Sequence, residues 1–293
     1  MTRRYGLVVH PARDVDGPRD ALHAWARDRG IEVVALGQSG PGHEGVAPGE
    51  VEDCDLVVAI GGDGTILGGA RLAAAEEHTP PVLGIACGSL GMLAAVRAQD
   101  TTDALTRHAA GEWEHHVLDG LRVTDADGAT GVALNDVCVV RKGAGQVKTQ
   151  VWVDGELYVR AAGDGVVVST ALGSSAYGMA AGGPIIAPGS HALCVTPLAM
   201  HGGSAAPLVV AATSRLRLEV TVKFGGRRLE VDGQPSAVAG DVLDLELAPE
   251  HVTLVRFAGG DGFLAGLRRR SIITDSPRIV AHEARMAADE ARR

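Results

Sequence analysis

The sequence predicts an α/β N-terminal domain built on a parallel sheet, followed by a mostly β C-terminal domain. Up to about residue 110, apolar strand-like runs alternate with helix-like runs, which is typical of parallel βαβ units. From residue 118 to about residue 257, helical periodicity nearly disappears and short strand-like runs dominate. The length of 293 residues also exceeds one typical core. Two domains are therefore expected, the first with a Rossmann-like sheet.

The first domain is expected to span residues 1–116. Its predicted elements come in the order strand, helix, strand, loop and strand, at residues 5–9, 18–29, 31–36, 38–50 and 56–60. Gly30 ends the helix, and the loop is rich in Gly, Pro and Ser. The strand at residues 56–60 is apolar and β-branched, so it is expected to be fully buried.

This buried strand leads into a glycine-rich turn, Gly61-Gly62-Asp63-Gly64-Thr65, with a helix predicted after it. The glycines remove side chains, so backbone N–H groups can approach an anion, and the helix start adds the positive end of its dipole. Asp63 is unexpected among phosphate-binding amides. It makes sense if it holds a metal ion or accepts a proton from an attacking hydroxyl. The alternative is a plain turn in which Asp63 caps the helix.

A second glycine turn, at residues 87–92 and containing Gly88, follows the next predicted strand, at residues 81–86. A helix is predicted after it, at about residues 101–110. Because parallel strands end at the same edge of a sheet, both glycine turns are expected at the carboxyl edge, where open α/β sheets bind ligands.

The second domain is expected to span residues 117–262, with residues 263–293 as a tail that packs back or partly frays. Strand-like runs and Asp-Gly turns fill most of this domain. One interruption, residues 169–184, combines small residues with Tyr177. It predicts a loop and short helix that a flat ligand can approach closely, and the alternative is tight helix packing through Ala and Gly.

Composition argues against several classes of partner. The net charge is −9, and the dense arginine run at residues 268–270 is short, which argues against nucleic acid or an anionic membrane as the main partner. The start of the chain lacks a signal-peptide core, and no apolar span of about eighteen residues occurs, so a cytoplasmic location is expected. The lysines are Lys142, Lys148 and Lys223, which excludes a GxxxxGK phosphate loop.

With these segments in place, the chain resembles the NAD kinase family, which phosphorylates the 2′-hydroxyl of the adenosine ribose of NAD. The resemblance covers most of residues 55–260. It rests on motifs in the family's order: GGDGT at 61–65, GSLGML at 88–93, LNDV at 134–137, DG at 164–165, SAY and AGGPI within 169–184, TPL at 196–198 and VDGQ at 231–234. GGDGT alone is weak evidence, because lipid kinases and phosphofructokinases carry similar loops. The ordered set is specific.

The resemblance implies direct in-line transfer of a phosphoryl group from ATP, with Asp63 orienting or deprotonating the ribose hydroxyl. The residues that it implies for binding the ATP phosphates are Gly61, Gly62, Gly64, Thr65 and Gly88. Magnesium would arrive with ATP, so no metal-ligating residue is assigned. Members of the family are usually oligomers, which implies a homodimer or homotetramer with small-molecule nucleotides as its ligands.

The implied NAD-binding residues lie in the second domain. Asn135 would bond the adenine edge, and Asp136 would hold ribose hydroxyls, a task suited to a carboxylate acceptor. Asp164 would face the nicotinamide end. The remaining pocket residues are Leu172, Ser175, Ala176 and Tyr177, whose ring can stack.

Three positions depart from the family pattern. Asn is common where Ala86 stands, and an aromatic residue is common where Met92 stands. Leu172 replaces a hydroxyl that contacts the adenine in the resemblance, and one neutral hydrogen bond is worth roughly 0.5–1.5 kcal/mol, or up to about tenfold in affinity. Two alternatives follow: a kinase of the same superfamily with a different nucleotide, sugar or lipid acceptor, and a nucleotide-binding regulator without catalysis. The joint presence of Asp63 with the acidic and amide residues of the second domain argues against the regulator.

Overall fold

The computed structural model describes residues 3–37, 43, 46–75, 79–260 and 262–290, which form two β-sheets and six α-helices. The larger sheet has eleven strands and the smaller sheet has six. Within these ranges, no helix is both long enough and apolar enough to cross a membrane.

The N-terminal part alternates strands and helices. Its strands are β1 (Arg4–Val9), β2 (Glu32–Ala35), β3 (Leu56–Gly61), β4 (Val82–Ala86) and β5 (Val96–Arg97), and its helices are α1 (Asp16–Arg27), α2 (Asp63–Ala74) and α3 (Thr101–Ala109). The strands pair in parallel in the order β4-β3-β1-β2, with β5 beside β4. Every residue of β3 is buried, because a parallel sheet of this kind is covered on both faces. The loops after β1, β3 and β4 therefore meet at one carboxyl edge.

The C-terminal part is mostly β. Its strands are β6 (Glu114–Asp125), β7 (Thr130–Ala133), β8 (Asp136–Arg141), β9 (Val147–Val153), β10 (Glu156–Gly163), β11 (Gly165–Ser169), β12 (Ala192–Leu198), β13 (Leu208–Ala211), β14 (Leu216–Val222), β15 (Arg227–Val231), β16 (Gln234–Pro235) and β17 (Val242–Arg256). Its helices are α4 (Tyr177–Ala180), α5 (Phe263–Arg269) and α6 (Pro277–Glu290). The smaller sheet is antiparallel, in the order β13-β12-β11-β8-β15-β16. The other strands of this part extend the larger sheet.

Strand β17 joins the two parts of the molecule. It pairs antiparallel with β14 and β6, and then parallel with β4 through Leu254 and Val82. Helix α5 follows this strand and buries Gly266 and Leu267. The chain thus returns to the N-terminal sheet after the β part, and the boundaries expected near residues 116 and 262 stay a prediction.

The hydrophobic core forms several clusters, of which three are large. Between the two sheets, apolar residues of the β part form one cluster, which includes Val168 and Leu218. Two further clusters lie on the parallel sheet. One of them combines Ile66 of α2, Leu93 of the second glycine turn and Leu134. Core packing therefore holds the second glycine turn and the segment around Leu134 close to α2.

The fold class predicted from the sequence is confirmed, and some element bounds differ. Helix α2 begins earlier than predicted, at Asp63, because Gly62 has an extended backbone and serves as its N-cap. Strand β6 begins at Glu114, ahead of the first strand-like run of the second domain, because it pairs along β17 from that residue onward. The predicted loop at 38–50 includes residues 38–42, 44 and 45, which lie outside the described residues.

Candidate active site

The first glycine turn places Asp63 at the start of α2. Gly62 is the N-cap and has no side chain to cap the helix, and its carbonyl accepts hydrogen bonds from Thr65 N at 3.0 Å and Ile66 N at 3.1 Å. A Cβ atom at Gly64 would meet no atom within 4 Å, which leaves the turn open on that side. A Cβ atom at Gly61 would overlap the side chain of Thr65, so the close fit of strand end and helix start requires glycine.

The Asp63 carboxylate is held by the second glycine turn. Its Oδ2 accepts a hydrogen bond from Met92 N and its Oδ1 accepts one from Leu93 N, each at 3.0 Å. A Cβ atom at Gly91 would overlap the carboxylate, so only glycine allows this approach. Asp63 therefore does not cap its own helix. Each carboxylate oxygen keeps a second lone pair, and the side chain is 31% exposed.

Arg256, at the end of β17, holds the same turn from the other side. Its guanidinium donates to Leu93 O at 2.8 Å and to Met92 O at 2.7 Å. Burial lowers the pKa of Arg256, and the nearby charge of Asp63 acts in the opposite direction. The peptide groups of Met92 and Leu93 thus link the half-buried Arg256 to the Asp63 carboxylate.

Two further arginines reach the site from the end of helix α5 and its C-cap. Arg269, on α5, donates to Leu90 O at 3.3 Å and to Gly91 O at 3.4 Å. Arg270 Nη1 lies 3.8 Å from Asp63 Oδ2. Because a Cβ atom at Gly266 would lie 2.9 Å from Met92 Sδ, α5 packs closely on the second glycine turn. The segment expected to be a tail thus includes a helix that contacts the site.

Gly88 lies in the same turn with a φ of +109°, a conformation that favours glycine. Arg13, from the loop after β1, donates to Cys87 O at 2.7 Å and approaches this turn. The structure therefore brings together the first glycine turn, the second glycine turn and Asp63, as the sequence predicts. Arg13 and Arg256 were not identified from the sequence.

The loop that carries Asn135 and Asp136 is organised by Asp232. The Asp232 carboxylate accepts hydrogen bonds from Leu134 N at 3.0 Å, Asn135 N at 2.6 Å and Asp136 N at 3.2 Å. On its other side, Arg71 Nε of α2 lies 3.8 Å from Asp232 Oδ2. Sequence reasoning identified the turn at residues 231–234 but gave Asp232 no role. The Asp-Gly dipeptide signals a turn and does not reveal its distant partners.

Asp136 is only 4% exposed, and its carboxylate accepts a hydrogen bond from Cys138 Sγ at 3.1 Å. Burial raises the pKa of Asp136 to about 6. The Cys138 hydrogen bond lowers this pKa, and the charges of Asp232 and Glu230 raise it further. The Asp136 carboxyl is therefore an acceptor whose charge changes close to neutral pH.

The small-residue segment packs directly against the Asn135 backbone. Thr170 N donates to Asn135 O at 2.9 Å, and Thr170 Oγ1 donates to Leu134 O at 2.6 Å. A Cβ atom at Gly173 would overlap Asn135 O, so glycine is required at that position. Ser175 is buried, and its Oγ donates to Leu172 O at 3.1 Å. These contacts fix the backbone and occupy the Ser175 hydroxyl.

Ala176 and Tyr177 are exposed at the start of α4, and 39% of Tyr177 is accessible. Partial burial raises the Tyr177 pKa, and the nearby acidic groups of Cys138, Glu230 and Asp136 raise it further. Helix α4 lies close to Asp136, because a Cβ atom at Gly178 would lie 2.7 Å from Ser169 Oγ and Ser169 pairs with Asp136 in the smaller sheet. Asp164 is 41% exposed and forms an ion pair with Arg141, whose Nε lies 2.6 Å from Asp164 Oδ1. Both Tyr177 and the Asp164 side chain are open to solvent, but Asp164 precedes β11 at the end opposite Ser169, the residue that pairs with Asp136.

Leu172 lines a cavity of about 380 Å³ between the two parts of the chain. Met92, Leu118, Arg256 and Phe263 also lie on its wall. The Leu172 side chain packs against the core cluster that contains Leu93 and Leu134. The cavity therefore adjoins the second glycine turn and the start of the small-residue segment, and Asn135, Asp136 and Tyr177 do not line it.

Helix α2 connects the two groups of site residues. It begins at Asp63 in the first glycine turn and carries Arg71, which pairs with the carboxylate that holds Asn135 and Asp136. Leu172 and Leu93 pack on the same core. The arrangement offers an anion-binding edge, one fixed carboxylate and a polar loop on a single framework.

Two family models match the chain. Residues 42–113 match the ATP-NAD kinase N-terminal domain, and residues 134–257 match the ATP-NAD kinase C-terminal domain. The NAD kinase of Heliobacterium modesticaldum is 39% identical over 210 residues, which cover 69% of this chain and 73% of that protein. The NAD kinase of Syntrophotalea carbinolica is 33% identical over 281 residues, which cover 86% of this chain and 91% of that protein.

Solved structures share the fold. Yeast NADH kinase complexed with NADH has a TM-score of 0.76 at 22% identity, covering 94% of this chain and 89% of that one. An NAD kinase from Archaeoglobus fulgidus in complex with ATP has a TM-score of 0.72 at 23% identity, covering 92% of this chain and all of that one. At this level of identity the likeness shows the fold.

Proposed function

This chain belongs to the NAD kinase family and phosphorylates NAD with ATP. We propose that the acceptor is the 2′-hydroxyl of the adenosine ribose and that Asp63 orients or deprotonates this hydroxyl. The observation that carries the proposal is the way in which the Asp63 carboxylate is held. Both of its oxygens are fixed by amides of the second glycine turn, at the edge where a parallel sheet binds ligands. A carboxylate fixed in this way is suited to accept the hydrogen bond of an attacking hydroxyl.

The donor phosphates are proposed to lie along the two glycine turns. Gly61, Gly62 and Gly64 expose backbone at the start of α2, where amides and the helix dipole favour an anion. Gly88 supplies the bend of the second turn. Positioning of the reacting groups and neutralisation of charge would then supply most of the rate.

Magnesium is proposed to enter bound to the phosphates of ATP. Among the described residues, no three His, Cys, Asp or Glu side chains converge as metal ligands. Asp63 offers a carboxylate beside the phosphate-binding turns, which fits a magnesium ion held mainly by phosphate oxygens and water. When bound, the metal neutralises charge on the transferred group.

The acceptor is proposed to bind through the Asn135 loop. The Asp136 carboxylate would accept hydrogen bonds from ribose hydroxyls, Asn135 would contact the adenine edge, and Tyr177 would stack at the open end. Asp164 would face the nicotinamide end together with Ser175 and Ala176. Leu172 offers no hydroxyl to the base, so apolar contact replaces a polar one at that position.

Tyr177 and the Asp164 side chain, which are proposed to contact NAD, are exposed, and this supports an assembly in which another subunit covers them. We propose a homodimer or homotetramer in the cytoplasm, where ATP and NAD are available. Light scattering of the purified protein tests this proposal, and a mass equal to one chain at micromolar concentration would contradict it.

The proposed function is tested by incubating the purified protein with magnesium, ATP and NAD and detecting NADP with an NADP-specific dehydrogenase. NADH, other nucleotides and polyphosphate are assayed in parallel. Formation of NADP that depends on ATP supports the proposal. Phosphorylation of a different acceptor would indicate a related kinase, and ATP binding without any transfer would indicate a regulator.

A further inference from the structure

Arg13 bridges the two glycine turns. Its Nη1 donates to Cys87 O at 2.7 Å, at the end of β4. Ideal Cβ positions at Gly62 and at Gly88 would each lie 3.5 Å from the same nitrogen, so the guanidinium lies beside both turns. The residue is exposed, and one hydrogen bond to a carbonyl uses one of the five N–H donors of a guanidinium.

The loop that carries Arg13 is fixed against the first glycine turn. His10 Nδ1 accepts hydrogen bonds from Ala12 N at 3.0 Å and from Arg13 N at 3.1 Å. His10 N donates to Ile60 O at 3.0 Å, which ties the loop to the end of β3. A Cβ atom at Gly61 would lie 3.0 Å from His10 Cβ. The backbone of Arg13 is thus positioned by its neighbours, independently of its side chain.

A triphosphate donor requires cationic partners, and the chain has no GxxxxGK loop to supply one. The lysines are Lys142, Lys148 and Lys223, all in the β part. Around the second glycine turn, the half-buried Arg256 donates to two backbone carbonyls and Arg270 lies beside Asp63. Arg13 instead lies between the two turns and is open to solvent. A planar guanidinium is well suited to hold phosphate oxygens.

We propose that Arg13 binds the terminal phosphates of the ATP donor and bridges the two glycine turns around them. This inference rests on the proposed function, because it assumes that a nucleoside triphosphate occupies this edge. Arg13 would supply the cation that a phosphate-loop lysine supplies in a GxxxxGK loop, but it comes from the loop after β1. The structure also offers a simpler role, in which Arg13 only clamps the turns through Cys87 O.

Binding measurements separate the two roles. Calorimetry compares Arg13→Met and Arg13→Lys with the unchanged protein, using magnesium with ATP, ADP or AMP and no acceptor. We expect Arg13→Met to weaken ATP binding by about tenfold to a hundredfold, ADP binding less, and AMP binding by less than twofold. Arg13→Lys restores part of the ATP affinity because it retains the charge. Arg27→Met, at the exposed end of α1, is the matched control and leaves ATP affinity unchanged.

NAD affinity and the thermal midpoint complete the test. Both stay close to those of the unchanged protein in Arg13→Met if Arg13 acts on the donor phosphates. Equal losses for ATP and AMP, unchanged ATP affinity, or a fall in NAD affinity together with the thermal midpoint would each overturn the inference. Because ATP binding is measured without an acceptor, absence of NADP formation in the unchanged protein would contradict the proposed function and leave the Arg13 result interpretable.

Discussion

The Asp63 carboxylate joins two turns that are about thirty residues apart in the chain, and one added carbon atom in the second turn would displace it. Both oxygens accept amide hydrogen bonds from the second glycine turn, and Gly91 faces the carboxylate where a side chain would overlap it. The position of Asp63 therefore depends on the absence of a side chain at Gly91. That dependence can be tested without altering Asp63 itself.

We expect Gly91→Ala to reduce turnover by at least about a hundredfold, the scale of losing a positioned acid or base group. The added methyl group would displace the carboxylate or the turn, because the two cannot occupy the same space. Gly68→Ala on α2 is the control, since a Cβ atom there meets nothing within 4 Å. Steady-state kinetics of both variants measure the effect. Normal turnover in Gly91→Ala would show that turnover does not depend on the position in which the second glycine turn holds the carboxylate.

The pH dependence of NAD binding follows from Asp136, whose pKa burial raises to about 6. The carboxyl becomes charged as pH rises through 6, and the charged form is the better acceptor for ribose hydroxyls. The KM for NAD is therefore expected to fall between pH 5 and pH 7, and Asp136→Asn should remove this dependence. A KM for NAD that does not change with pH in the unchanged protein would contradict the assignment.

The same carboxyl affects stability with the opposite sign. Because its pKa in the folded protein lies above its ordinary value, folding favours the protonated form. This contribution to stability is complete below about pH 4 and is lost as pH rises through 6. Thermal unfolding of the unliganded Asp136→Asn variant should therefore show a smaller decrease in stability across this range than the unchanged protein does.

At the scale of elements, α5 supports the site and α6 does not contact it in the same way. Helix α5 packs on the second glycine turn through Gly266, and Arg269 and Arg270 reach Leu90, Gly91 and Asp63. The side chains described on α6 are exposed. The two helices are adjacent in the chain, so they can be removed in steps.

Truncation after Asp275 should leave turnover within about twofold, because it removes α6 and keeps α5 with its arginines. Truncation after Gly260 removes α5 as well and should lower turnover by about tenfold or more, since the second glycine turn loses its cover and Asp63 loses Arg270. Kinetics and thermal midpoints of both truncated proteins measure the difference. Equal turnover in the two would show that α5 has no part in the site.

At the scale of the whole molecule, the fold class follows from local patterns because each pattern reports on burial. The apolar strand β3 is buried on both faces, and the alternating runs of the β part face a core between two sheets. The two glycine turns lie at one edge because parallel strands end there. The sequence order of strands and helices was enough to predict this much of the site.

The remaining features depend on contacts between distant segments, which local patterns do not reveal. Strand β17 returns to the N-terminal sheet by pairing with β4, which lies far from it in the sequence. It places Arg256 beside the second glycine turn. Likewise, Asp232 binds amides that lie almost a hundred residues earlier. An arginine or an aspartate has the same local pattern wherever its partner lies, so these roles could not be predicted.

The central claim is that Asp63 acts on the acceptor hydroxyl and does not hold NAD. Turnover and NAD affinity of Asp63→Asn, measured together and compared with Asp103→Asn on the exposed face of α3, test it most directly. We predict a loss of turnover of at least about a hundredfold with NAD affinity within a few-fold of the unchanged protein. Near-normal turnover, or a loss explained entirely by weaker NAD binding, would contradict the account.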